Sequence, residues 1–307
     1  MAIRVLIADN DLGDSRLETT ILETAIDAEV HVAGCRSEDD VLAAVDAVRP
    51  DAIIVQWAPI TERVLAAAAE LAVISRVGIG TDMIDVGAAA ARGIPVINVP
   101  HYCTEEVATH AVALGLSLWR RLPQFDRELR EGQWNAAASA PLVRRLSEST
   151  VGLIGLGRIG HLVATAYAAL GATVIAHDPI AGDDPYRRVS LEELADTSDL
   201  ISLHAPLVPA THHVVDAGFL ERCVRTPVIV NTSRGPLIDQ PALVAALESG
   251  RIAGAGLDVF DAEPLPADEP IRRAPNTILT PHASWCSVSA LPELRREAAM
   301  NVVRHFS

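Results

Sequence analysis

The chain has 307 residues, half of them hydrophobic and 21% charged, a balance that can build a large buried core in about two domains. A formal net charge of −15 excludes a nucleic-acid surface, which needs clustered Lys and Arg, and suits a cytoplasmic protein. The cysteines Cys35, Cys103, Cys223 and Cys286 form no CxxC pair, no metal site is expected, and neither a signal peptide nor an apolar run of membrane-spanning length is present.

In chain order, residues 3–8 read as a buried strand of the parallel-sheet type and Leu17–Ala28 as a helix. Strands are expected over Val30–Ala33, Ala52–Gln56, Val73–Val77 and Pro95–Asn98. Between them lie helices that start at Ser37, are capped by Thr61, and run over Val86–Arg92 before Gly93. Residues 104–131 form a long helical pattern opened by Thr104, Glu105 and Glu106, with Pro123 a kink or break. Gly132–Ser149 is small, polar and aperiodic, and is expected to wrap over a surface or a neighbouring subunit.

The stretch Thr150–Pro179 carries the strongest signal. A strand at Val151–Ile154 runs into Gly155-Leu-Gly157-Arg158-Ile159-Gly160, an alanine-rich helix follows, and a second strand, Thr173–Ala176, leads to Asp178. In this context the glycines permit a tight turn, close approach of the backbone to a pyrophosphate, and close helix–strand packing. Helix N–H groups then face the phosphates. Asp178 lies 18 residues past Gly160, near the spacing expected of a carboxylate that binds a ribose 2′-hydroxyl. An acid there repels a 2′-phosphate, and the adjacent residues offer no arginine to receive one, so NAD(H) is expected rather than NADP(H). Further β/α alternation follows: helices at Ser190–Ala195, Gly218–Arg222 and Asp239–Ser249, and strands at Leu200–Ala205, Pro227–Asn231, Ala253–Asp258 and Thr277–Thr280. The helical segment Ser287–Phe306 has no sheet of its own to cover and is expected to return to the first domain.

Ligands of open α/β sheets gather at the carboxyl ends of the strands. Three such ends in the second half carry Arg234, Glu263 and His282. Chemically these are a carboxylate clamp, a carboxylate able to orient and charge an imidazole, and a proton donor near pH 7. Asp261 is a rival to Glu263. His101, His110, His212 and His213 read as structural or solvated.

With these residues in view, the chain resembles the NAD-dependent D-isomer specific 2-hydroxyacid dehydrogenases. The resemblance rests on Arg76-Val-Gly-Ile-Gly-Thr-Asp82, the glycine motif, Asn231-Thr-Ser-Arg-Gly235, Asp258-Val-Phe260, Glu263-Pro264 and Pro281-His282. His282-Ala-Ser-Trp285 and Val99–Glu106 are most similar to the branch containing the C-terminal-binding proteins, with D-3-phosphoglycerate dehydrogenase in the wider family. It implies a flavodoxin-like substrate-binding domain, residues 1–99 plus 284–307, and an inserted Rossmann NAD-binding domain, residues 100–283. The active site is then expected in the cleft between the two, and a homodimer through the NAD-binding domain.

The resemblance further implies His282 as acid/base, Glu263 as its partner and Arg234 as the residue that binds the substrate carboxylate and carbonyl. The N–H groups of Val77 and Gly78 would hold the carboxylate, with Arg76 nearby. Asp258 would bind the nicotinamide carboxamide, Thr232 and Ser233 would line the cofactor, and Arg158 and Ile159 the pyrophosphate. A negative Glu263 would raise the imidazole pKa. Trp285, three residues after His282, would wall the substrate pocket, with Trp57 a weaker candidate for the facing wall. The expected reaction interconverts a 2-keto acid and a D-2-hydroxy acid. The competing reading is an NAD(H)-sensing interaction protein like the C-terminal-binding proteins, and a further one a different hydride donor such as formate or phosphite.

Overall fold

A computed structural model describes residues 2–180, 182 and 184–307. They divide into two compact units, one ending at Cys103 and resuming over Cys286–Ser307, the other spanning Thr104–Trp285.

The first unit alternates β1 (Ile3–Ile7), α1 (Arg16–Ala25), β2 (Ala28–Val32), α2 (Glu38–Val48), β3 (Ala52–Val55), α3 (Glu62–Ala67), β4 (Val73–Arg76), α4 (Val86–Ala91) and β5 (Val96–Ile97). Its strands form one parallel sheet in the order β2-β1-β3-β4-β5, the flavodoxin-like arrangement. Every residue of β3, Ala-Ile-Ile-Val, is buried, as a strand covered by helices on both faces must be. Helix starts follow from their caps. Ser37 and Asp40 make a reciprocal capping box on α2, and Thr61 Oγ1 accepts the Val64 N–H at the start of α3.

The second unit contains α5 (Thr104–Trp119), α6 (Leu122–Arg130), α7 (Ala136–Ser139), β6 (Thr150–Ile154), α8 (Arg158–Ala169), β7 (Thr173–His177), β8 (Arg187–Arg188), α9 (Leu191–Thr197), β9 (Leu200–Leu203), α10 (Ala217–Arg222), β10 (Val228–Asn231), α11 (Gln240–Glu248), β11 (Gly254–Leu257) and β12 (Thr277–Leu279). Its parallel sheet runs β12-β11-β10-β9-β6-β7-β8. The order reverses between β6 and β9, the switch point at which a dinucleotide-binding Rossmann sheet opens its crevice. Two apolar clusters flank it. Leu203, Ile229, Leu243 and Leu257 belong to one, and Ala111, Leu153, Val163 and Val230 to the other.

The break expected at Pro123 in residues 104–131 separates two helices and falls at Arg121, which takes a left-handed φ of 56°. Pro123 sits in the first turn of α6, where its missing N–H costs nothing. The segment 132–149 holds α7 and two short 3-10 turns, and β8 was not anticipated at all.

The last helix, α12 (Ala290–Phe306), belongs to the first unit, where it packs on α1 and β4. Ser75 Oγ donates to the Ala298 carbonyl at 2.7 Å, and Asn301 Nδ2 to the Asn98 carbonyl at 3.2 Å. Arg295 forms a two-armed ion pair with Glu18 at 2.7 and 2.6 Å, with both side chains nearly buried. No helix among the described residues is long and apolar enough to cross a membrane. Leu294 is buried on α12. Leu294→Ala should therefore cost about 2–5 kcal/mol, read as a lower urea midpoint, and a change within error would show that α12 is dispensable to the unit.

Candidate active site

The glycine turn leaves β6 with Gly155 at φ 92°. A Cβ there would lie 2.6 Å from Ala205 N, so the turn tolerates no side chain. A Cβ at Gly160 would meet the Gly155 carbonyl oxygen at 2.5 Å, whereas Gly157, the cap of α8, faces open space. Arg158 and Ile159 open the helix. A backbone that is bare on its outer side at a helix N-terminus fits a pyrophosphate.

Asp178 follows β7, and its carboxylate ties the turn down. Oδ2 accepts the Leu156 N–H at 2.7 Å and Oδ1 the Ile180 N–H at 2.8 Å. Each oxygen retains acceptor capacity for a ribose hydroxyl. Two residues nearby were not singled out from sequence. Arg188, on β8, lies 4.0 Å from Asp178, so an arginine does stand beside the carboxylate expected to meet the ribose. His204, half-buried, follows β9 beneath the glycine turn, and loss of solvent around its ring pushes the imidazole down to about 4, so it is neutral near pH 7. Its position at a strand end was the available signal.

The three proposed catalytic side chains stand after adjacent strands. After β10, Asn231 braces the turn: Nδ2 donates to the Arg234 carbonyl at 2.8 Å and Oδ1 accepts the Ser233 N–H at 3.0 Å. Arg234 Nη1 donates to the Ser233 carbonyl at 2.7 Å. Gly235 comes next because a Cβ there would meet Phe260 C at 2.0 Å, in the loop after β11. That loop delivers Glu263, whose Oε1 accepts the Phe260 N–H at 2.9 Å and whose Oε2 meets His282 Nδ1 at 2.6 Å. Glu263, not Asp261, is thus the partner of His282. Burial pushes the Glu263 carboxyl up, but the His282 hydrogen bond and charge, the Phe260 N–H and the Arg234 charge outweigh it and hold the group below the usual glutamate range. Burial raises Asp261 instead.

His282 itself adopts a left-handed φ of 51°, a conformation that costs about 1–3 kcal/mol and must be imposed by its surroundings. Asp258 imposes it. Its carboxylate has no exposed surface and accepts Thr280 Oγ1–H at 2.5 Å, Ala283 N–H at 2.8 Å and Ser284 N–H at 2.9 Å, while its carbonyl accepts the His282 N–H at 2.8 Å. Asp258 thereby positions the His282 loop, and with three donors its two oxygens keep acceptor capacity for the nicotinamide carboxamide that the resemblance assigns to it. The nearby His110 also serves this loop, with Nε2 3.1 Å from Thr280 Oγ1.

Among the expected cofactor-lining residues, the Ser233 hydroxyl is committed to the Leu203 carbonyl at 3.0 Å. The Thr232 hydroxyl is buried with no partner among the described residues, an orphan that a bound polar ligand would satisfy. Trp285 is half-buried at the end of this unit.

In the first unit the Val77 N–H continues the sheet to the Val55 carbonyl at 2.8 Å, and the Gly78 N–H lies 3.0 Å from the Arg76 carbonyl. The Arg76 guanidinium is buried, donates to the Val77 carbonyl and lies 5.4 Å over the Trp57 ring. Asp9 holds the loop beneath, accepting the N–H groups of Gln56, Trp57 and Ala58 at 2.7, 2.5 and 2.9 Å.

A parallel sheet with a nucleotide-binding glycine turn at its switch point and a His–Glu pair at neighbouring strand ends defines a dinucleotide-dependent oxidoreductase. Residues 112–284 match the family described as D-isomer specific 2-hydroxyacid dehydrogenase, NAD binding domain. The chain is 39% identical over 252 residues to a glyoxylate reductase of Korarchaeum cryptofilum, covering 80% of this chain and 76% of that one. It is 36% identical over 297 residues to the D-3-phosphoglycerate dehydrogenase of Mycobacterium tuberculosis, where 95% of this chain spans 55% of the relative's length. The structure of D-lactate dehydrogenase from Aquifex aeolicus, complexed with NAD and lactic acid, superposes with a TM-score of 0.88 at 28% identity, covering 98% of this chain and 95% of that one. The chain belongs to the D-isomer specific 2-hydroxyacid dehydrogenase family and is an NAD(H)-dependent oxidoreductase.

A depressed carboxyl stabilises the fold above its unfolded-state pKa, near 4.3, and that contribution is lost as pH falls through the lower folded value. The stability difference between wild type and Glu263→Gln, from urea midpoints, should hold from pH 7 to about pH 5 and shrink below about 4.3. A difference already gone at about pH 5 would contradict the assignment of Glu263 as a held carboxylate.

Proposed function

We propose that the protein interconverts a small 2-keto acid and the corresponding D-2-hydroxy acid, with His282 as the acid/base. The observation that carries this reading is the 2.6 Å contact between Glu263 Oε2 and His282 Nδ1, at a carboxylate that also feels the Arg234 charge. When bound, the reduced nicotinamide supplies the hydride equivalent. Gly155, Gly157, Arg158, Ile159 and Gly160 would hold the pyrophosphate, Asp178 the ribose, and Thr232 and Ser233 the face of the cofactor.

Because Nδ1 faces Glu263, His282 gives its proton from Nε2 to the keto oxygen as the carbonyl carbon is reduced, and takes it back in the oxidative direction. Glu263, held ionised, fixes the ring and balances the charge of the imidazolium. Arg234 offers its planar fork to the substrate carboxylate and carbonyl oxygen, and stabilises the negative charge that develops on that oxygen. Trp285 walls the pocket. Arg76, stacked over Trp57, would stand beside the substrate carboxylate with Val77 and Gly78. The names of the relatives favour a small 2-keto acid, with glyoxylate the first choice. Leu122, Leu129, Trp134 and Leu142 are all exposed between the start of α6 and β6, and this run of apolar side chains supports a homodimer through the second unit.

A panel of 2-keto acids with NADH, followed by loss of nicotinamide absorbance, tests the reading. Turnover of at least one is expected, and Arg234→Ala should lower its kcat/KM by about 10²–10³-fold. Tight NADH binding with no turnover of any 2-keto acid would contradict it and favour an NAD(H)-sensing role.

A further inference from the structure

The residues around Asp178 hold a positive charge placed there by tertiary structure alone. Strand β8 is two residues long and pairs with β7 in the register Ile175↔Arg187 and Ala176↔Arg188. Arg188 thereby comes alongside the end of β7, just before Asp178. Its Nη2 pairs with the Asp184 carboxylate, and its Nη1 lies 4.0 Å from Asp178 Oδ2. That Nη1 is buried and makes no hydrogen bond among the described residues. The Asp184 side chain is 3% exposed and Asp178 15%, so both lie largely out of solvent.

An arginine is charged at every working pH, and its flat fork matches a phosphate better than any other side chain does. A guanidinium with one arm anchored and another without a hydrogen bond among the described residues can receive a phosphate oxygen. What stands in the way is the neighbouring carboxylate. A phosphomonoester carries between one and two negative charges near neutrality, so Asp178 would repel it at close range.

We propose that Arg188 is a latent 2′-phosphate receptor, and that the charge of Asp178 keeps this subsite closed to NADP(H). The proposal rests on the reading that Asp178 meets the ribose 2′-hydroxyl. Asp184 anchors the receptor and Asp178 excludes the phosphate, so discrimination between the two cofactors resides in one carboxylate rather than in the absence of a cation. Asp178→Asn removes the charge while its amide oxygen still accepts the Leu156 N–H. The Ile180 N–H that loses its acceptor belongs to a residue 77% exposed and turns to water.

The test is equilibrium titration of NADH and NADPH, by nucleotide fluorescence, into wild type, Asp178→Asn and Asp178→Asn/Arg188→Ala. Asp178→Asn/Arg188→Met, which keeps the bulk of the side chain, guards against misfolding, and each variant is checked by its thermal melt. Asp178→Asn should weaken NADH and tighten NADPH by about tenfold or more, and removal of Arg188 should cancel the NADPH gain while leaving NADH as in Asp178→Asn. A gain in NADPH affinity that survives both Arg188 replacements would overturn the role of Arg188. NADH affinity unmoved by Asp178→Asn would instead overturn the ribose reading of Asp178, and the proposal with it.

Discussion

The active site depends first on a buried carboxylate. Asp258 has no solvent contact, and an isolated charge so placed would cost several kcal/mol. Hydrogen bonds from Thr280, Ala283 and Ser284 offset that cost, and in making them the loop after β12 has no freedom left. His282 sits in the middle of this clamp with a backbone conformation it would not adopt unaided. The ring's direction is therefore set by the carboxylate beneath its loop as well as by Glu263.

From that anchor the rest of the pair follows. Asp258 directly follows β11, so the same residue that fixes the His282 loop also starts the loop that brings Glu263 back to the imidazole. One strand over, Asn231 does the equivalent for Arg234, by satisfying both ends of a four-residue turn. Gly235 lets the loops after β10 and β11 touch without a side chain between them. Three parallel strands thus deliver three chemical groups to one edge, each by a polar brace at the strand terminus. The first unit repeats the device with Asp9, whose carboxylate gathers three backbone N–H groups after β3.

Much of this was legible in the sequence, because alternating apolar runs and capped helices report local structure directly. The two parallel sheets, the glycine turn, and the set Arg234, Glu263 and His282 all come from residue type and order. What the sequence withheld depends on burial and pairing. Asp258 looks like any acid at a strand end until its complete burial and three donors show that it also clamps the His282 loop. The ladder from Val77 to Val55 appears only with the sheet register. Arg188 was invisible because a two-residue strand has no periodicity, and only its pairing with β7 carries the guanidinium to Asp178.

The central claim is that His282 supplies the proton during reduction of the keto acid. Single-turnover mixing of pre-formed NADH complexes with glyoxylate, comparing wild type and His282→Ala, addresses it most directly. The account predicts equal NADH affinity and a hydride-transfer rate lower by about 10²–10⁴-fold in the variant. Equal single-turnover rates in the two proteins would contradict it.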